Sequence, residues 1–523
     1  MTNFTERNDA HNRNRNTPRV VSLRSIMMNM QQHFEAKRGV SMRKYAGIFI
    51  SLVLLISMLS ACSGGSKNNN EPPKGTDTET QKPAATTDAT AAPEDDITKK
   101  KIKISIYYPL PDQVENRKLE DDKIARFNAV YPNVEIVKSD WHYKPDEIGI
   151  KMAANEAPTF YNTFATEASF LVEKGWAADI TDLYDKYEYK DQINSVLQDT
   201  FNINGKIYGV PQKGYVVTTV VNKKMLDEKG VALPSYDWTW DDMLNTAIGV
   251  ADTKKGIAGI APMGKGTEAG WNWTNFLFEA GGDVQTVDGK VTAAFNSEAG
   301  LKALEFYNKL RWEANVIPQD WALGWGDALG AFANGRTAMV IAGAENILEQ
   351  ALNQGGMKIA DVLTYPMPSA EKGGKHTGVL GGDYLIINPN ASKDEQEMAF
   401  RYITFDYFSD KYLQAIEKDI QARKAEGKFY IPPHINYYAA DSEYGKKMQA
   451  IFDKYDNVYK YDAESNKLLD GKAEAQYNTQ DYYGAMANVI QEVFSKKGTN
   501  LQGQLDAAAK LVQEKFFDPI KVE

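Results

Sequence analysis

From Lys101 onward the chain alternates between two hydrophobic periods. KIKISIYY (Lys101–Tyr108) sets Ile102, Ile104, Ile106 and Tyr108 on one face, as a half-buried strand does. A helical stretch around Lys118–Val130 follows, then NVEIV (Asn133–Val137) as a second strand. APTFYNTF, a polar helix and Gly175-Trp176-Ala177-Ala178-Asp179 continue the β-α rhythm. Val216–Val221, Thr337–Ala342 and Tyr384–Asn388 are continuous apolar runs that predict buried strands. Between them lie amphipathic helices: Leu301, Leu304, Tyr307 and Leu310 share one face. Ser392-x-x-Glu395 is a capping box ahead of Met398, Tyr402 and Phe405 at helical spacing. Such alternation predicts α/β units with mostly parallel sheets. The chain carries no internal repeat.

The pattern before Lys101 is different. Ser63–Lys100 is rich in Ser, Thr, Asn, Pro and Gly and has almost nothing apolar to bury, which predicts a disordered tether. Upstream, Met42–Cys62 (MRKYAGIFISLVLLISMLSAC) places Arg43 and Lys44 before an apolar run from about Ala46 to Leu59. That run is shorter than the roughly 20 residues a membrane span needs. A cationic head, a short apolar middle and small residues at the exit form an export signal. Its ending, Leu59-Ser60-Ala61-Cys62, resembles the lipobox of bacterial lipoproteins. The resemblance implies cleavage after Ala61, a diacylglyceryl group on Cys62, and a lipid-anchored place outside the cytoplasm: the cell surface of a Gram-positive bacterium, or a periplasm. The polar, Arg-rich residues 1–41 fit no part of such a signal. The expectation is that translation starts at Met42; the alternative is a disordered basic arm.

Composition narrows the chemistry. The chain has 523 residues, long for one core and suited to two domains or one bilobal unit. Its net charge of −10 argues against a nucleic-acid partner, because phosphate neutralisation needs a basic surface. With one cysteine it has no disulfide framework and no CxxC-type zinc or redox site. Only His142, His376 and His434 follow the signal, so no metal and no cofactor are expected. HExxH, GxSxG and Walker A patterns are absent, and His376 breaks Gly374-Lys375-His376-Thr377 as a phosphate loop.

Several passages then resemble, in order, those of the family 1 extracellular solute-binding proteins of ABC importers, the group of maltose-binding protein. They are NGKIYGVP (Asn204–Pro211), Asn222-Lys223, PSYDWTWDDM (Pro234–Met243), AFANGRTAMVIAGAENI (Ala331–Ile347) and GVLGGDYLIIN (Gly378–Asn388). The resemblance implies a two-lobed periplasmic-binding fold of α/β class over 101–523, with hinge strands and a ligand between the lobes. Lobe 1 would hold about 101–214 and 367–428, and lobe 2 about 215–366 and 429–523. The crossings are expected near Gly214, Tyr365–Pro368 and 424–432. It also implies a saccharide or sugar-derivative ligand, permease subunits of an ABC importer as partners, a monomeric state and no enzymatic activity. A surface glycosidase, which needs aromatic stackers and two carboxylates, is the alternative from another class. A ligand-sensing subunit for a surface kinase would keep the fold and change the partner.

Sugar sites pair flat aromatics with carboxylates and amides. By the family's contact positions the candidates are Tyr108, Phe164, Thr166, Glu167, Tyr215 beside Gly214, Trp271, Asn272, Trp273, Glu345, Asp383, Tyr384, Asp481, Tyr482 and Tyr483. Trp176, Trp238 and Trp240 are assigned to packing. Glu345 stands where many relatives place a Trp, which implies a more polar ligand face. The charge-rich run Glu417–Lys428 is expected to be a solvated helix face.

Overall fold

The computed structural model describes residues 97–111 and 113–522. The expected export signal, Cys62 and the part of the expected tether up to residue 96 lie outside the described residues. Order already holds at Ile97, four residues before the expected start. Ile97 is buried, its carbonyl and that of Lys100 accept from Asn133 Nδ2 at 3.1 and 2.7 Å, and Lys100 pairs with Asp394 at 3.0 Å.

Two groups of elements surround separate apolar cores. In the first, β1 (Ile102–Tyr107) pairs in parallel with β2 (Val134–Ser139), and α1 (Val114–Val130) buries Phe127 against them. Ile102, Ile104 and Ile106 all point inward, the period-two face read from the sequence. β3 (Phe160–Phe164) adds Phe160 to this core and Tyr161 to a smaller adjoining cluster. In the second group, β5 (Thr218–Asn222), β6 (Ala258–Ala261), β7 (Thr337–Ala342) and β8 (Val362–Tyr365) form one sheet in the order β8-β5-β7-β6. β5, β6 and β7 are buried along their whole length, which is why they read as unbroken apolar runs.

The sheets are mixed rather than mostly parallel. β7 runs parallel to β6 but antiparallel to β5, and β8 is antiparallel to β5. Alternation of helix and strand along the chain does not determine strand direction once the chain passes between two groups.

That passage is made by long strands. β4 (Val210–Val216) leaves the first core at Val210, and the chain enters the second at Val217. β9 (His376–Ile387) has Val379 in the second core and Leu385 and Ile387 in the first. Its beginning pairs in parallel with β11 (Leu469–Ala473) and its end antiparallel with β3, while β4 lies along its middle. β10 (Ile435–Asn436) pairs with Gly214 and Lys213 of β4. Three segments therefore meet where one group gives way to the other.

Two expected crossings fall elsewhere. Tyr365 and Met367 are buried in the second core, so the return is made by β9 around Gly381–Asp383. After 424–432 the chain goes back to the first core. α7 (Glu443–Asp453) buries Tyr444, Met448, Ile451 and Phe452 there, against α6 (Asp410–Ala425) with Leu413, Ile416 and Ile420. Lys454–Glu417 and Lys447–Asp410 join the two helices outside. The chain enters the second core for good at Tyr459. An i, i+4, i+7, i+8 stripe says that a helix buries one face, not which core receives it.

Trp238 and Trp240 pack as expected, with indole N–H donated to the Pro366 carbonyl at 2.9 Å and to Glu279 at 2.6 Å. Trp176 is half-buried on Phe170. α3 (Glu298–Asn308) buries Leu304 and Tyr307, and the Ser392–Glu395 capping box forms at the head of α5 (Lys393–Ile403).

Candidate functional site

The two crossing strands, β4 and β9, bring their polar side chains to one cleft. Lys213 and Tyr215 sit two apart on β4 and so share a face. Opposite them on β9 are Asp383 and Gly381, and Lys213 Nζ lies 3.5 Å from Asp383 Oδ2. The Tyr215 ring lies over Gly381: a Cβ there would stand 2.5 Å from the Tyr215 hydroxyl, so only glycine leaves room for the ring. Its edge meets Trp271 at 6.4 Å between centroids, and Trp271 in turn meets Trp325 at 5.6 Å. Burial pushes the Tyr215 hydroxyl well above its ordinary value, with Glu474, Asp383 and Glu345 adding to the effect. Of these, Asp383 lies beside Gly381 on β9, and Glu345 Oε2 and the Tyr215 ring both border Gly343.

Each carboxylate is held differently. Glu345 lies in α4 (Ala344–Leu348), after β7, and its Oε1 accepts the backbone N–H of His434 at 2.7 Å. His434 immediately precedes β10, and its ring stacks on Tyr461 at 4.5 Å. Glu345 thus fastens the chain that enters β10, the strand paired with Lys213 and Gly214. Glu474 follows β11 and accepts from the Tyr483 hydroxyl at 2.6 Å. Burial raises its carboxyl to about 7, against the bond from Tyr483, and Glu167 raises it further. Glu167, in the turn after β3, is buried and accepts from the Tyr143 hydroxyl and from Thr166 Oγ1; burial raises its carboxyl too.

The first group supplies Phe164, 40% exposed at the end of β3 and opposite Asp383 in register. Tyr107 is half-buried. Burial lifts its hydroxyl to about 12, with Asp383 the next cause. From the second group, α8 (Thr479–Ser495) reaches across: Gln480 Nε2 donates to Thr166 Oγ1 at 3.2 Å. Asp481 beside it is exposed. Close approach of α8 to α2 (Thr267–Glu279) depends on Gly270, where a Cβ would stand 2.4 Å from the Tyr483 carbonyl oxygen.

Of the expected residues, the structure brings Phe164, Thr166, Glu167, Tyr215, Trp271, Glu345, Asp383, Asp481 and the Tyr483 hydroxyl to this region. Five others turn away. Tyr108 is buried in the first core and donates to Asp121 at 2.8 Å; its neighbour Tyr107 takes the cleft side, because adjacent residues of an extended chain face opposite ways. Asn272 is fully buried and spends its amide on Ile341, Met263 and Tyr307. Trp273 is fully buried, and so is Tyr482, which bonds to Thr274 at 2.9 Å. Tyr384 donates to the Leu197 carbonyl at 2.9 Å inside the first group. Tyr107, Lys213, Trp325, Glu474 and Gln480 were not anticipated. Lys213 was within reach as the i−2 partner of Tyr215, whereas Glu474 stands in no motif.

Among the described residues no group of three or more His, Cys, Asp or Glu is placed to hold a metal ion. What the cleft offers is aromatic surface, carboxylates, the Lys213 ammonium and the Gln480 amide, the equipment for grasping a hydroxylated solute.

Two α/β lobes joined by crossing strands, with polar and aromatic side chains between them, define the architecture of a solute-binding protein. Residues 111–407 match the model of the bacterial extracellular solute-binding protein family, and the chain belongs to that family. Among curated proteins it is 20% identical to lipoprotein LipO of Bacillus subtilis (strain 168) over 410 residues, 71% of this chain and 79% of that one. A Thermotoga lettingae ABC transporter solute-binding protein with bound α-D-tagatose superposes with a TM-score of 0.59 at 21% identity, covering 79% of this chain and 99% of that one. Maltose-bound MalE3 of T. maritima gives 0.61 at 19% identity, with the same coverage. Likeness at that identity speaks for the fold.

Proposed function

We propose that this protein captures a saccharide between its two lobes and hands it, unchanged, to the permease of an ABC importer. The observation that carries the reading is the convergence on Tyr215. Strands that cross between the lobes place an aromatic ring, an ammonium and carboxylates where they meet, with Phe164 on one side and Trp271 on the other. A sugar touching both sides favours the closed arrangement by its differential affinity for it, and closure is what a permease can read. The sugar-bound relatives support a carbohydrate ligand by analogy.

Small-angle scattering with a bound saccharide should show the lobed region becoming slightly more compact, and the sugar should be recovered intact. Steady turnover by clean protein would replace this reading with the glycosidase. The LipO relative and the lipobox-like ending support anchoring through Cys62. Cys62→Ser should then release the protein from the membrane or leave it as unprocessed precursor, which mass spectrometry of the mature N-terminus checks.

A further inference from the structure

The cleft face of the crossing strands depends on an irregularity in β4. Pro211 stands opposite Tyr384 of β9 and Lys213 opposite Asp383, so Gln212 is an extra residue without a counterpart, a β-bulge. On β9 the alternation is unbroken. Leu385 of the first core, Asp383, Gly381 and Val379 of the second core lie on one face. On β4, strict alternation would put Gln212, Gly214 and Val216 on the face of Val210 and turn Lys213 and Tyr215 away from it. The bulge shifts the phase by one residue. Val210, Lys213 and Tyr215 then meet Leu385, Asp383 and Gly381 on the shared face. A one-residue change of phase reverses every side chain beyond it, so the bulge decides what β4 shows the cleft. Pro211 has no N–H to give the ladder here, so the two strands alone hold the step weakly.

We infer that Tyr407, a buried residue of lobe 1, is the positioning residue that holds this bulge and so keeps Lys213 and Tyr215 turned to the ligand. Its hydroxyl donates to the Pro211 carbonyl at 2.6 Å and accepts from Gln212 Nε2, gripping both residues of the step. Its ring stacks on Tyr437 at 4.0 Å between centroids. Tyr437 directly follows β10, which pairs with β4 at Lys213 and Gly214, so the grip reaches β4 from its other edge as well. The direction of the Tyr407 side chain is itself fixed. Phe408, next in the chain, holds a φ of 58°, a conformation that a bulky residue keeps only where its surroundings impose it. The rings of Tyr189, Tyr437 and Tyr444 impose it, at 5.5, 5.6 and 5.2 Å from the Phe408 ring. The effect of Tyr407 on binding rests on the saccharide reading above; its effect on strand phase needs no ligand.

Disulfide trapping on the full chain in detergent reads the phase. Lys213→Cys with Asp383→Cys places thiols on residues that oppose each other in the bulged register and face apart without it. Cys62 is the one other cysteine, and peptide mapping by mass spectrometry tells its bonds apart. The bond between positions 213 and 383 should form readily, and adding Tyr407→Phe should slow it several-fold. Calorimetry with maltose and D-tagatose gives the second reading. Tyr407→Phe alone should weaken whichever binds the parent by roughly tenfold, with the fold intact by circular dichroism. Gln212→Ala keeps the Pro211 bond and should have the smaller effect. Tyr437→Phe removes a hydroxyl that faces Tyr444 rather than β4, and should leave both readings unchanged. Unchanged trapping in Tyr407→Phe, or slower trapping with undiminished binding, overturns the inference. A parent that binds neither sugar counts against the saccharide reading alone, and the trap still decides whether Tyr407 sets the phase.

Discussion

Two aromatic stretches flank the cleft, one from each lobe, and they use their residues in opposite ways. On lobe 1, β3 ends with Phe164 exposed, while its neighbours Tyr161 and Thr163 are buried. On lobe 2, the first half of α2 carries Trp271, Asn272 and Trp273 in succession, and only the first has a neighbour in the cleft. The difference is geometric. A strand end can release one side chain into solvent simply by stopping. Consecutive residues of a helix point about 100° apart, so three in a row cannot address one ligand.

The widest test of that contrast uses the two tryptophans. Trp273 is fully buried in the lobe 2 core, and Trp273→Ala should cost about 3–5 kcal/mol of stability, the usual range for emptying an indole-sized space. Trp271→Ala should cost less stability but about 2 kcal/mol of binding, roughly 30-fold in Kd, if its ring backs the ligand through Tyr215. Denaturant unfolding and calorimetry on both variants separate the effects. Equal losses of binding from two equally stable variants would erase the distinction between them.

A second difference between the lobes lies in their acids. Glu167 on lobe 1 is buried with two hydroxyl donors, whereas Glu474 on lobe 2 has one, from Tyr483. Glu474 ionises at about 7 rather than 4.5, so the folded protein keeps a proton that the unfolded chain has released between those values. Stability should then fall as pH rises from about 4.5 to about 7 and level off above, by an amount on the order of 3 kcal/mol. Glu474→Gln should remove that part of the slope and leave the variant the more stable one at pH 8. Thermal unfolding from pH 4 to 9 checks it; a parent slope that survives the substitution would assign the proton to another group.

The same residues mark how far the sequence could be read. Strands with a clear period were legible: the inward set Ile102, Ile104 and Ile106 and the unbroken run Thr337–Ala342 fold as their patterns predict. The capping box at Ser392 was legible because its partners are three residues apart. The crossings at 365–368 and 424–432 were not, since passage between two cores is a tertiary choice that local pattern does not record. Site residues followed the same rule. Phe164 and Tyr215 could be placed from strand ends and hinge glycines. Asn272 could not be told from a ligand amide until its three bonds into the lobe 2 core were seen. Glu474 could not be found at all, because its partner Tyr483 lies nine residues on and its charge neighbour Glu167 belongs to the other lobe.

The smallest effect concerns the contact between the lobes themselves. Gln480 Nε2 on lobe 2 donates to Thr166 Oγ1 on lobe 1 at 3.2 Å, directly beside Glu167. A neutral bond of this kind contributes about 1 kcal/mol net. Present with the lobes together and absent with them apart, it biases the resting equilibrium toward closure. Apparent affinity scales with the fraction of molecules already able to bind, so Gln480→Ala should weaken ligand binding by about fivefold at most, with the fold intact. Thr166→Val should cost more, because it also removes the hydroxyl donated to Glu167 at 3.3 Å. The two substitutions should be non-additive: in the Gln480→Ala background, Thr166→Val loses only the Glu167 part, and the missing remainder is the energy of the bond across the lobes. Scattering without ligand gives an independent reading, since both variants should be slightly more open than the parent. Fully additive losses with unchanged scattering would mean that this bond holds the α8 N-terminus locally and leaves closure to the ligand.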